Sequence, residues 1–185
     1  MWAIYDKLAR RSRKEGLSPD DLPRLTDEEN EVHDLFRRYH YMYDAGDVEG
    51  VMELFTDDCV VVNPRGTYVG ITVIRQNYEY LVGRRRFVLH YGTNPLVRFE
   101  PGLQEAWLGA FYLAVTTMDA GNIYATGGAY MNRLHNREGQ WKIFEQRITG
   151  NFRFDLAKSA QAFTPPPTGT SARSSTDMVE DWAIF

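Results

Sequence analysis

Apolar side chains at Val32, Leu35, Phe36, Tyr39, Met42 and Tyr43 recur every three or four residues, the spacing of one helical face. Thr26-Asp27-Glu28-Glu29 stands just before this run and reads as a capping box that starts the helix. Gly46 can end it and Asp47 can cap a second helix through Val51, Met52, Leu54 and Phe55. Residues 59–63 are short and β-branched, so they predict a strand, stopped by Pro64 and Gly66 and paired with 67–69 as a hairpin. Gly70 precedes a third helix over 71–81. Upstream, residues 1–25 read as an N-terminal arm with a short helix over 3–14, broken by Gly16, Pro19 and Pro23.

The period changes after Arg86. Four long segments, 86–99, 105–119, 123–135 and 140–153, are rich in Val, Thr, Tyr, Phe and Trp. Pro101-Gly102, Ala120-Gly121-Asn122 and Asn136 to Gly139 separate them, which predicts consecutive antiparallel strands joined by hairpins. Gly127-Gly128 within one segment predicts a bend or bulge. Strands this long must curl, and a curled sheet backed by helices encloses a cavity. The pattern predicts one α+β domain over 26–153: a curled antiparallel sheet of long strands packed against about three helices, enclosing a pocket. Residues 154–185, with Pro165-Pro166-Pro167 and a Ser/Thr-rich stretch, read as a C-terminal tail. Its apolar end, Trp182 to Phe185, either docks on the body or a neighbouring subunit or frays.

Composition narrows the function classes. The 185 residues suit one domain with extensions, and a net charge of −4 argues against nucleic-acid binding. The basic runs at 10–14 and 84–86 read as solvated faces, with phosphate or anion binding as the lesser alternative. Cys59 is the single cysteine, so no internal disulfide forms, and its apolar surroundings predict a buried, inert thiol. No apolar stretch approaches the ~20 residues that span a bilayer, and the N-terminus lacks a signal-peptide core, so a cytoplasmic protein without membrane contact is expected. Aromatic residues make up 14%, which suits an apolar ligand, an oligomer interface or a dense core. His33, His40, His90 and His135 show no convincing metal-ligand spacing, and no phosphate loop or Gly-x-Ser-x-Gly motif is present, so no metal or cofactor is expected.

Several motifs carry a family resemblance. Tyr43-Asp44-Ala45-Gly46-Asp47 followed by Leu54-Phe55-Thr56-Asp57-Asp58, then Gly66 to Ile71, His90-Tyr91-Gly92-Thr93-Asn94, and Gly139-Gln140-Trp141-Lys142-Ile143 together resemble the nuclear transport factor 2-like (SnoaL-like) superfamily over roughly 27–153. The resemblance implies a cone-shaped fold. Within the superfamily, the His90 to Asn94 stretch, Gly127-Gly128 with Tyr130, and the Trp141-Lys142 hairpin resemble lindane dehydrochlorinase. Tyr43-Asp44 and His90 resemble scytalone dehydratase, and bile-acid dehydratases share the scheme. These groups eliminate a leaving group from a ring without a cofactor and are typically homotrimers. The resemblance therefore implies that Asp44 and His90 form a catalytic dyad, and that the chain is a homo-oligomer, trimer or dimer. It departs from scytalone dehydratase at Gly109 to Tyr112, where no second histidine stands, and the dehydrochlorinase arginine falls near Thr149.

An elimination needs a base at a C–H bond and help for the leaving group. Alternation puts Val88, His90, Gly92 and Asn94 on one face of their strand and Phe87, Leu89 and Tyr91 on the other, with Gly92 leaving space for a ligand. On the last strand it puts Trp141, Ile143, Glu145, Arg147 and Thr149 on one face. Arg147 then binds a leaving oxygen or a substrate carbonyl, or pairs with Asp44 or Glu145. The catalytic candidates are His90, Asp44 and Arg147, and the substrate-binding candidates are Tyr43, Asn94, Phe111 and Tyr130. His40 is four residues from Asp44 and competes with His90 as its partner. The expected function is a cofactor-independent lyase of the dehydratase type acting on a small hydrophobic cyclic substrate. The alternatives are an isomerase or polyketide-type cyclase using the same base, a ligand-binding protein, or the small subunit of a ring-hydroxylating dioxygenase.

Overall fold

The computed structural model describes residues 2–156; the expectations for the C-terminal tail from 157 onward lie outside them. Helix α1 spans Trp2–Arg10, α2 Leu25–Ala45, α3 Val48–Glu53 and α4 Ile71–Val82. Strand β1 spans Phe55–Asn63, β2 Gly66–Val69, β3 Arg85–Phe99, β4 Glu105–Met118, β5 Ile123–Arg137 and β6 Gln140–Asp155.

Helix α2 buries Val32, Leu35, Phe36 and Tyr39 of the predicted face together with His40, while Met42 and Tyr43 are half-buried. It ends where Gly46 takes the left-handed φ of 77°, a conformation that costs glycine nothing. Asp47 caps α3, its Oδ1 accepting from the Gly50 amide at 2.9 Å. The capping box at Thr26 does not form. The helix starts one residue earlier, at buried Leu25, without a side-chain cap. Arg13 claims the box residues instead: it donates to the Thr26 hydroxyl at 2.9 Å and pairs with Glu29 at 2.6 Å. Burial and a tie to the preceding arm replace the local cap. The helix also stops short of Phe55. The Leu54 carbonyl accepts from Ile143 N–H at 2.8 Å, and Phe55 already pairs with Ile143, so the sheet takes the chain over there.

The six strands run in the order β2-β1-β6-β5-β4-β3. The four long strands are antiparallel neighbours as expected, but β1 joins β6 in parallel, so the sheet is mixed, and it is not closed. Bulges bend it. Gly127 pairs with Phe152 and Gly128 with Gly150, one residue extra on β6. A Cβ on Gly128 would lie 1.7 Å from the Thr149 carbonyl oxygen, which is why glycine stands there. A second bulge, at Phe144, separates the Arg133–Glu145 and Leu134–Ile143 pairs. A third, between Thr93 and Leu96 on β3, holds Asn94 at φ 51°.

Helix α2 lies across the concave side, its Glu28 accepting from the Trp141 indole at 2.7 Å. Leu25, Val32, Val97, Leu108, Leu134 and Ile143 form the core at one end of the curl. Cys59 is fully buried, and burial pushes its thiol up to about 11, an inert state. Among the described residues no helix is long and apolar enough to cross a membrane. The convex face of β3 to β5 exposes Phe87, Leu89, Tyr91, Leu113 and Ile123.

Candidate functional site

The other end of the curl is open, leaving a chamber of about 490 Å³ between α2, α4 and the sheet. That size suits a small ring-bearing molecule. Tyrosines dominate its wall: Tyr39, Tyr43, Tyr78, Tyr112, Tyr124 and Tyr130, with Val88, Ile148 and Phe152 between them.

His90 projects into this chamber from β3, upstream of the Asn94 bulge, with its side chain 9% exposed. Asp44 sits in the last turn of α2, where the helix dipole disfavours a carboxylate. Two bonds compensate. Asp44 Oδ2 accepts from the His90 backbone N–H at 2.7 Å, and Oδ1 lies 2.6 Å from the His90 ring Nδ1. A carboxylate at Nδ1 keeps the proton there and leaves the lone pair on Nε2, the form of imidazole that accepts a proton. The Tyr43 and Tyr112 rings flank His90 at 5.3 and 6.1 Å.

His40 does not compete for Asp44. It stacks behind His90 at 5.6 Å and 21°, and its Nε2 is buried without a hydrogen-bond partner. Burial above all, and the neighbouring His90, pull its imidazole down to about 4, so it is neutral at pH 7. The room left by Gly92 is filled by this ring and by Phe36 rather than by ligand: a Cβ on Gly92 would lie 2.6 Å from His40 Cε1.

The phenols form a second polar feature. The Tyr39 and Tyr78 hydroxyls are 2.8 Å apart, Tyr78 donates to Gln146 Oε1 at 3.0 Å, and Tyr112 donates to the Thr149 carbonyl at 3.1 Å. Burial raises the Tyr43, Tyr78 and Tyr130 phenols above their ordinary range and pushes Tyr112 up to about 12. All stay protonated near neutral pH, with the Tyr78 and Tyr112 protons already given to Gln146 Oε1 and the Thr149 carbonyl. Among the described residues, no three His, Cys, Asp or Glu side chains gather as a metal ion would require.

A profile of the SnoaL-like domain matches residues 24–147, about two thirds of the chain. The chain belongs to the SnoaL-like family. Solved structures agree at the level of the fold. A scytalone dehydratase-like protein of Novosphingobium aromaticivorans is 21% identical over 70% of this chain and 88% of its own, with a TM-score of 0.67. The hexachlorocyclohexane dehydrochlorinase LinA-type3 of Novosphingobium barchaimii is 21% identical over 74% and 94%, with a TM-score of 0.66. A nuclear transport factor 2-like superfamily protein of Salmonella enterica serovar Typhimurium is 19% identical over 68% and 92%, with a TM-score of 0.63. No curated protein matches by sequence.

Of the residues expected in the SnoaL-like pocket, His90, Asp44, Tyr43 and Tyr130 come together. Arg147, Asn94 and Phe111 do not line the chamber. The Phe144 bulge reverses the alternation of β6, so Gln146 and Ile148 turn inward while Arg147 points out. There Arg147 is 49% exposed and bonds Glu145 at 2.6 Å. The β3 bulge turns Asn94 out to solvent in the same way. On β4 the lining residues are Tyr112, Ala114, Thr116 and Met118, the alternation that leaves Phe111 on the other face. The sequence reading missed Tyr112, Gln146, Arg65 and Arg153. Arg84 and Arg85, for which the sequence favours a solvated face over anion binding, line the chamber with Arg65 and Arg153.

Proposed function

We propose that this SnoaL-like protein is a cofactor-independent lyase that eliminates water from a hydrophobic cyclic substrate. His90 Nε2 takes a proton from carbon, and the electrons of that C–H bond form the new C=C bond. The C–O bond on the adjacent carbon breaks, and the leaving oxygen takes the proton back from the imidazolium and departs as water. Asp44 holds Nδ1–H and stabilises the positive ring that forms. Tyr43 offers a neutral donor to a substrate carbonyl whose oxygen gains charge. The observation that carries the reading is the two-point grip of Asp44 on His90 at the wall of a tyrosine-lined chamber. The exposed apolar convex face suits the homo-oligomer expected from the resemblance.

The test is a panel of cyclic β-hydroxy ketones followed by the absorbance of the conjugated product. The wild type should convert some of them. His90→Gln should slow conversion ~10²–10⁴-fold, the usual worth of a general base, with melting behaviour retained. Equal turnover in the wild type and His90→Gln would sink the proposal. A shifted double bond without loss of water would give the same base to an isomerase.

A further inference from the structure

The mouth of the chamber has an unusual charge distribution. Arg65 in the β1–β2 turn, Arg84 and Arg85 at the start of β3, and Arg153 on β6 all line it, and the described lining includes no Asp or Glu. Elsewhere arginines find acids: Arg11 pairs with Glu100, Arg75 with Glu49 and Arg133 with Glu105. The protein has more acidic than basic residues, 25 against 21, so partners are not scarce. Yet none of the four makes an ion pair among the described residues.

Each rests on an aromatic ring instead. Arg85 lies 4.0 Å over Tyr43, Arg153 3.5 Å over Tyr124, and Arg65 and Arg84 5.3 and 5.1 Å over Tyr80. Stacking holds a guanidinium in place while leaving edge N–H groups available, the arrangement that meets a carboxylate or phosphate in two parallel bonds; Arg84 alone among the four spends one N–H on the hydroxyl of its ring, Tyr80, at 2.6 Å. Arg85 is also fixed by donating to the Tyr43 carbonyl. A separate observation points the same way. Asn77 lines the chamber, is only 7% exposed, and its Nδ2 is buried with no hydrogen-bond partner. A buried amide donor without an acceptor is costly unless a ligand supplies one.

We infer that the chamber takes an amphipathic substrate, an apolar ring body carrying an oxyanion, with that anion held at the mouth by Arg85 and its three neighbours. The anion sits at the rim because the Asp44 carboxylate repels it from the inner wall, and this leaves the ring body against His90 and the tyrosines. The inference names the substrate class of the proposed lyase and rests on the chamber being its substrate site.

Calorimetric titration of the full chain with 2-naphthoate, 2-naphthyl phosphate and the neutral 2-naphthamide tests it. At least one anion should bind about tenfold or more tightly than the amide, as charge-assisted bonds predict, and the tighter of the two names the head group. The preference should shrink several-fold between about 0.02 and 0.2 M salt. Arg85→Gln should remove most of it. The Arg84→Gln/Arg153→Gln double variant, altered only at exposed positions, should weaken it as well. Equal affinity for anion and amide, or a preference that survives both variants, overturns the inference. Failure of all three probes to bind overturns it together with the chamber as a substrate site. A retained anion preference in a protein whose turnover is indifferent to His90→Gln sinks the elimination alone.

Discussion

His40 should make the stability of the protein depend steeply on pH, and the size of the effect follows from its surroundings. The ring is 7% exposed and packed among Phe36 at 4.4 Å, Tyr130 at 5.3 Å and His90 at 5.6 Å. Among the described residues the titratable groups facing it are Tyr39 at 5.4 Å, Tyr130, His90 and Asp44, and the last two act in opposite senses. Burial dominates and pulls the folded-state value from 6.5 down to about 4. The unfolded chain therefore binds this proton more readily than the folded one. The stability that a neutral His40 preserves is complete above about pH 6.5 and is lost as pH falls toward 4. At about pH 4.5 the loss amounts to about 2–3 kcal/mol, a sizeable part of the 5–15 kcal/mol typical of a domain. Replacing the ring with one that cannot ionise removes the term. Because Nε2 has no partner to lose, His40→Phe should be at least as stable as the wild type at pH 7. Urea melts of both proteins from pH 7 to 4.5 isolate the effect, since titrations common to both cancel in the difference. The wild type should fall behind His40→Phe by about 2–3 kcal/mol over that range. Parallel curves, within about 0.5 kcal/mol, would show that His40 is not buried as described.

Two further substitutions test the packing of the site. Gly92→Ala places a methyl 2.6 Å from His40 and 3.0 Å from Phe36 Cε1, so it should destabilise by about 1–3 kcal/mol and lower the melting temperature measurably; an unchanged melting temperature would contradict the contact. Arg147→Ala removes only an exposed pair with Glu145 and should change stability by no more than about 0.5 kcal/mol in chemical denaturation and leave kcat/KM unaltered. A tenfold fall in kcat/KM would return Arg147 to the site.

How far the sequence discloses this site depends on where the bulges fall. Turn residues mark the hairpins between the long strands, and the period-2 pattern assigns faces correctly as long as no residue is inserted. His90 lies upstream of the β3 bulge and its face is read correctly. Asn94 lies within the bulge and Arg147 downstream of the one at Phe144, and both are read onto the wrong side. Gly127-Gly128 advertises its bend because a side chain would strike the Thr149 carbonyl, but Phe144 is an ordinary strand residue and gives no such signal. The pairing of Asp44 with His90 spans 46 positions, beyond any local pattern, and was visible only through the family resemblance. The arginines mark a different limit. Arg84 and Arg85 look like any solvated run until Arg65 and Arg153 arrive from the far side of the sheet. What makes the four informative is the lack of a carboxylate among the described residues that line the mouth with them. That is a property of the folded neighbourhood, and counting charges along a chain with an acidic excess points away from it.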